Sequence, residues 1–376
     1  LTVMSGKHDQ LLELVCLNMI DNLGPLTMRD LLSAFGTPAR ILSASRRDLT
    51  AIEGIGPKLA DGIVNAKLSE AERELKVADE AGVTVLHPDE FPPGLKMIDG
   101  APTVLYAKGV IEEKDVVAVA IVGSRRCSLY GRKQAERFGY MLAQRGVTVV
   151  SGMARGVDSA AHAGALRACG RTIAVLGNGL STVYPPENRK LFNDISRSGA
   201  VVSEFPMGLP PGPGNFPRRN RVISGLSLGV VVVEAAQASG SLITAKWAVE
   251  QGREVFAVPG KAGSPTSKGT HSLIKDGAKL VEDVDDIIEE LGSLKECLTG
   301  AQDPVPSAAP SGDGEADGPA GQVLGVLSDD EPTGIEDVIE KCGLAPSEVS
   351  GLLLQLELRG LVKSLPGKVF VRSSQL

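Results

Sequence analysis

Aromatic side chains are scarce in this 376-residue chain: phenylalanine, tyrosine and tryptophan make up 3% of it. A core of ordinary size must therefore be aliphatic. Long apolar runs are also missing, since no stretch approaches the roughly 18 consecutive apolar residues of a membrane helix, and no membrane segment is expected. Cys16, Cys127, Cys169, Cys297 and Cys342 form no Cys-x-x-Cys pair, which excludes a disulfide scaffold. His8, His87 and His271 have no partner at ligand spacing, so no metal site is expected. The first residues lack the charged, then apolar, then small-residue pattern of a secretory leader, and a reducing cytoplasmic location is expected. No Walker A sequence occurs, and Gly177-Asn178-Gly179 lacks the third glycine of a dinucleotide fingerprint. No cofactor is expected.

Glycine, by contrast, is abundant at 44 residues, so the chain turns closely against something many times. Charge is unevenly placed. The whole chain carries −7, yet residues 121–222 hold fifteen Lys and Arg against five acidic residues, a net +10. The remainder carries −17. Positive charge concentrated where the glycine-rich turns lie implies an anionic ligand for that segment.

The length favours two to three domains, and the pattern divides as residues 1–68, 69–296, 297–321 and 322–376. The first part reads as short helices punctuated by Gly-Pro steps. Its stretch Ile52-Glu-Gly-Ile-Gly-Pro-Lys58 resembles the turn of a helix-hairpin-helix, and Leu23-Gly24-Pro25-Leu26 looks like a degenerate copy. That pattern serves DNA-phosphate binding and plain helical packing alike, and Glu53 and Asp61 dilute its positive charge. From Val83 the text changes to apolar runs such as VVAVAIVG, VTVVSG, TIAVLG, AVVSEF, GVVVVEA and EVFAVPG, separated by amphipathic segments. Runs without polar alternation belong to a parallel sheet covered on both faces, which predicts an α/β doubly wound fold with ligands at the carboxyl ends of the strands. Residues 297–321 are Pro, Gly, Ala and Asp-rich and read as a disordered linker. The last part has the arithmetic of a winged helix with a two-stranded wing. Its third helix, residues 346–359, brings Glu348 and Glu357 against Arg359 alone, which favours protein interaction or a structural role over reading a duplex.

Asp158, Ser159 and His162 lie within one helical turn, but a triad needs the imidazole between nucleophile and carboxylate. An Asp158–His162 pair at i, i+4 is the expectation instead. What remains is a set of phosphate-binding elements at strand ends. They comprise Gly123-Ser124-Arg125-Arg126, then Gly152 with Arg155, then Gly177, and Ser239-Gly240 ahead of a helix. Residues 215–221, expected as a loop, add Arg218, Arg219 and Arg221 beside Phe216. Arginines track a backbone while an aromatic stacks a base, the combination that suits single-stranded nucleic acid.

The segments AIVGSRRCSLYGR, VVSGMARGVDSAAHAGAL, TIAVLGNGLSTVYPPENRKLF, NFPRRNRVISGLS and VVVVEAAQASGSLITAKWAVEQGREVFAVPG resemble the DNA processing protein A family, also called DprA or Smf, over about residues 85–290. The flanking parts are similar to that family's optional domains. The resemblance implies an extended Rossmann-like core that dimerises. It further implies binding and protection of single-stranded DNA, RecA loading in natural transformation, and a link to single-strand-binding protein. It implies no enzymatic step. Where some relatives carry a lysine, Pro186 stands here, and that cationic contact is expected to be either lost or replaced by Arg189 or Lys190. Five neutralised phosphates would give a log-log salt slope of about −3.5, and deletion of residues 1–82 is expected to change affinity modestly. The pattern around Gly152 and Asp158 also resembles nucleoside-monophosphate phosphoribohydrolases. Their catalytic glutamate is missing, however, because Leu242, Ile243 and Thr244 follow the turn.

Overall fold

The computed structural model describes residues 2–290, 319–328, 332–358, 361–365 and 369–372. Six helices open the chain: α1 (Thr2–Asn18), α2 (Pro25–Phe35), α3 (Pro38–Leu42), α4 (Arg46–Thr50), α5 (Pro57–Val64) and α6 (Leu68–Glu80). The two Gly-Pro steps start α2 and α5 in the same way. Gly24 and Gly56 are extended N-caps, and a proline fills the first helical position, where its missing N–H costs no helical bond. Leu23 and Ile55 are buried, and their amides donate to Ile20 O at 3.2 Å and Ile52 O at 3.1 Å. Before each stands a left-handed residue, Asn22 at φ 63° and Gly54 at φ 83°. The copy at residues 23–26 is thus a structural repeat of the second hairpin.

The sheet that follows has nine strands: β1 (Thr84–Leu86), β2 (Leu105–Gly109), β3 (Ala118–Val122), β4 (Thr148–Ser151), β5 (Thr172–Val175), β6 (Ala200–Ser203), β7 (Gly229–Val232), β8 (Glu254–Ala257) and β9 (Lys279–Leu280). Their order is β1-β2-β6-β5-β4-β3-β7-β8-β9. All pairings from β6 across to β9 are parallel. The antiparallel β1 and β2 extend one edge. Neither stands out as an apolar run, because β1 is three residues long and β2 contains Lys108 and ends in glycine.

The helices of this part are α7 (Pro93–Lys96), α8 (Leu129–Gln144), α9 (Val157–Arg167), α10 (Arg189–Ser198), α11 (Asn215–Gly225), α12 (Ser241–Glu250) and α13 (Lys268–Lys275). Successive strand residues face opposite sides. One side presents Val119, Ile121, Val149 and Val231 to α8 and α9. Further along that side, Tyr106, Ala174 and Val201 share a cluster with α10 and the six N-terminal helices. The other side presents Ala120, Val150, Ile173 and Val230 to α7, α11 and α12. From β3 the chain winds outward through β4, β5 and β6, then crosses back to lay β7 on the opposite flank of β3. That reversal opens a crevice at the strands' carboxyl ends.

The modest effect expected on deleting residues 1–82 does not suit this packing. Leu17, Leu31 and Ile63 are part of the same buried cluster as Tyr106, Leu176 and Met207, so deletion would strip an apolar face of the sheet layer.

The C-terminal part has its own small core of Val323, Val338, Leu353 and Leu356. Its elements run in the order α14 (Pro319–Val326), β10 (Thr333–Gly334), α15 (Ile335–Cys342), α16 (Pro346–Leu358), β11 (Val362–Leu365) and β12 (Val369–Arg372). The expected two-stranded wing gains a third strand, as β12 pairs with both β11 and β10. The linker expected over 297–321 lies outside the described residues as far as 318, and so does Arg359.

Helices α8 and α9 approach closely because Gly139 and Gly164 carry no Cβ. One added at Gly139 would strike the Ala161 carbonyl, and one at Gly164 the Glu136 carbonyl. Alanine is the better helix former by about 1 kcal/mol, yet Gly139→Ala is expected to destabilise by about 1–3 kcal/mol through overpacking. Urea denaturation reads this as a lowered midpoint, and an unchanged or raised midpoint would show the helices to be less tightly apposed.

Candidate functional site

The crevice holds a cavity of about 780 Å³. Its walls are the β3–α8 loop (Gly123, Ser124, Arg125, Arg126), Asp158 at the start of α9, Tyr184, the first turns of α11, and residues 239–241 with Ile243 and Thr244 at the start of α12. An adjoining space of about 20 Å³ shares Arg125 and Phe216 and adds Gly152, Arg155 and Gly177. Eleven of the expected residues therefore meet here: Gly123, Ser124, Arg125, Arg126, Gly152, Arg155, Gly177, Phe216, Arg219, Ser239 and Gly240. Lys190, Arg218 and Arg221 do not.

The reason is local structure. Residues 215–221, expected as a loop, are the first turns of α11. Side chains three or four apart share a helix face, so Phe216, Arg219 and Asn220 line the cavity. Arg218 and Arg221 share another face and pair with Glu204, at 3.0 and 2.6 Å. Lys190 pairs with Asp194 at 2.6 Å on the exposed side of α10. Arg155 lines the smaller space but is bound to Glu187. Among the described residues, Arg125 and Arg126 are lining cations at the mouth that make no ion pair, with the Asp158 carboxylate acting on Arg125 from further inside.

Their loop is pinned from β7. Ser124 N donates to Glu234 O at 2.7 Å, while Ser128 N and Ser128 Oγ donate to Glu234 Oε2 at 3.0 and 2.8 Å. Glu234 is 3% exposed, and this one buried residue holds the loop through its backbone carbonyl and the N-cap of α8 through its carboxylate. The sequence signal for it is a charged residue directly after four valines.

Arg219 forms the floor. It is 4% exposed, donates to the carbonyls of Gly152 (2.9 Å) and Val175, and its Nε donates to Asn220 Oδ1 at 3.2 Å. Asn220 Nδ2 in turn donates to Gly240 O at 3.2 Å, linking the ends of β4 and β5 to the start of α12. Gly152 and Gly177, expected to receive phosphate, make room instead. A Cβ at Gly152 would lie 2.6 Å from the Arg219 guanidinium, and one at Gly177 would lie 2.7 Å from the Phe216 ring. The Arg125 guanidinium covers Phe216 at 4.8 Å from the ring centroid, and Tyr184 leans on the ring at 5.8 Å and 39°.

Asp158 does not pair with His162 as expected. The His162 Nδ1 lies 2.6 Å from Thr172 Oγ1, and burial together with Arg219 pushes the imidazole down to about 3, keeping it neutral. Asp158 faces the cavity instead, its Oδ2 accepting from Ala154 N at 3.4 Å. Burial raises its carboxyl to about 6, an effect that Arg219 and the backbone amides only partly oppose. Burial likewise lowers Arg219 to about 10, so it remains cationic at neutral pH. The turn a phosphoribohydrolase would use does border the cavity, but the next acid on α12 is Glu250, placed at 3.7 Å from Lys246.

Comparison with known proteins gives three family matches. The family described as DNA recombination-mediator protein A matches residues 82–292, the DprA winged helix domain residues 304–368, and the SAM-like helix-hairpin-helix tandem residues 17–66. Protein Smf of Escherichia coli K12 is 45% identical over 278 residues, covering 74% of each chain. The X-ray structure of DNA processing protein A from Streptococcus pneumoniae superposes with a TM-score of 0.63 at 34% identity, covering 73% of this chain and 95% of that one. The Helicobacter pylori DNA processing protein A, solved for its single-stranded DNA binding mode, gives 0.50 at 30% identity, covering 56% of this chain and 95% of that one.

Protonating Asp158 leaves Arg219 and Arg125 uncompensated, so the cavity gains one positive charge as pH falls through about 6. A bound anion raises the same carboxyl further, by linkage. Affinity for a deoxythymidine oligonucleotide, whose bases do not titrate there, is expected to weaken as pH rises from about 5.5 to about 7.5. Asp158→Asn should flatten that dependence. An identical pH profile in the variant would remove Asp158 from the site.

Proposed function

Because the chain belongs to the DNA recombination-mediator protein A family, we propose that it is a DNA-processing protein of natural transformation that holds single-stranded DNA in the crevice. The observation that carries this reading is the pair of unpaired guanidinium groups, Arg125 and Arg126, at the mouth of a cavity that also contains Phe216. Free cations meet phosphates, and the ring offers a face to any base. The single-stranded DNA bound by the Helicobacter pylori relative supports the ligand class.

Arg125 covers one face of Phe216. A base that stacks there takes the place of the guanidinium, which swings out to the adjoining phosphate. Cation–π contact is thus exchanged for stacking plus a charge-assisted hydrogen bond. Ser124 and the start of α12, with Ser239 and Gly240, receive the next phosphate. Binding in this scheme involves no covalent step. The same reading extends to a cytoplasmic homodimer that protects incoming strands and loads RecA onto them, working alongside single-strand-binding protein. Its support is the resemblance of the core to the family.

Ion pairing revises the salt dependence. With Arg218 and Arg221 committed to Glu204 and Arg155 to Glu187, three guanidinium groups, those of Arg125, Arg126 and Arg219, face the ligand. The log-log salt slope for a single strand then becomes about −2 in place of about −3.5. Anisotropy of a labelled deoxythymidine oligonucleotide against a matched duplex, over a salt series, tests this. Single-strand preference is expected, with Arg125→Ala and Arg126→Ala each flattening the slope by about 0.7 and Arg218→Ala leaving it unchanged. Duplex preference, or a slope indifferent to Arg125 and Arg126, would sink the assignment.

A further inference from the structure

We infer that Glu204 is a positioning residue of the crevice, and that the N-terminal helices set the affinity of the crevice through the segment after β6 without touching the bound strand. The inference rests on the single-strand reading of the crevice and adds to it a control from outside the cavity.

Glu204 follows β6 directly and is 2% exposed. Its Oε2 accepts from Arg218 Nε at 3.1 Å and from Arg221 Nη2 at 2.6 Å. Those two arginines sit on the face of α11 that the cavity does not use, while Phe216 and Arg219 occupy the face that lines it. One carboxylate gripping two side chains a helical turn apart fixes both the height and the rotation of the first turns of α11. A turn of α11 about its axis would move Phe216 and Arg219 together. An apolar contact would anchor the helix with less desolvation but would not fix its rotation. The cluster bears that cost visibly: Glu204 Oε1 and Arg221 Nη1 are buried without a hydrogen bond.

The segment is gripped from the other side by the N-terminal helices. Asn18, the last residue of α1, donates through Nδ2 to Glu204 O at 3.0 Å. Glu74 of α6 accepts from Met207 N at 2.6 Å, and the Met207 side chain, 1% exposed, lies in the cluster of the N-terminal helices. Four consecutive residues thus connect α1 and α6 to α11. Asn18 and Glu74 are not among the residues that line the cavity.

The test uses the full chain and the labelled deoxythymidine oligonucleotide. Glu74→Ala and Asn18→Ala change partly exposed side chains, and thermal melting verifies that each variant is folded. Each is expected to weaken binding about fivefold, the effect of losing one hydrogen bond, with a salt slope changed by no more than about 0.7, because Arg219 is the one phosphate-facing cation that moves with α11. Glu74→Gln keeps the acceptor for Met207 N and should restore affinity. In a Phe216→Ala background, Glu74→Ala should cost less than in the wild type, because the ring is already lost and only the shift of Arg219 remains. Wild-type affinity in folded Glu74→Ala and Asn18→Ala, or a fully additive loss with Phe216→Ala, overturns the proposal. If Phe216→Ala and Arg125→Ala themselves bind like wild type, the crevice reading has failed instead.

Discussion

The rotation of α11 about its own axis decides what the crevice is. Five consecutive residues, Phe216 to Asn220, and then Arg221 carry three arginines, an aromatic and an amide, and the helix deals them to two faces. One face builds the cavity floor and its stacking ring. The other is consumed by a buried carboxylate. Had the segment been the loop its proline and charge suggest, all three arginines would have been available to a ligand.

Charge concentration and available charge are different quantities. The +10 excess of residues 121–222 falls on the segment that supplies most of the crevice's lining. Several of the segment's fifteen cations are nevertheless already engaged: Arg155 with Glu187, Lys190 with Asp194, Arg171 with Asp115, and Arg218 and Arg221 with Glu204. An ion pair inside the fold removes its cation from the counterion balance that drives phosphate binding. The crevice therefore works with few cations, each well placed. Arg125 and Arg126 are held by the Glu234 clasp on their loop, and Arg219 by two carbonyls and Asn220.

Glycine follows the same logic of position over type. At strand ends it suggests backbone amides open to phosphate, and Gly240 does stand in open space. Gly152 and Gly177 serve differently, as clearances for the Arg219 guanidinium and the Phe216 ring. Both uses require the absence of a Cβ, so residue type alone does not separate them.

The sequence by itself determined the parallel core, the hairpin repeat, the winged C-terminal part and the gathering of glycines and arginines at the strand ends. Each of these is written in local periodicity or short-range punctuation, such as unalternated valine runs and Gly-Pro steps. The antiparallel edge strands, the inward Asp158, the Glu234 clasp and the commitment of Arg218 and Arg221 were decided only by the tertiary structure. Each depends on partners far apart in the chain, Ser128 with Glu234 or Asn18 with Glu204. A side chain's electrostatic role is set by which neighbour reaches it in the fold, and sequence spacing fixes such neighbours only within a turn or a strand.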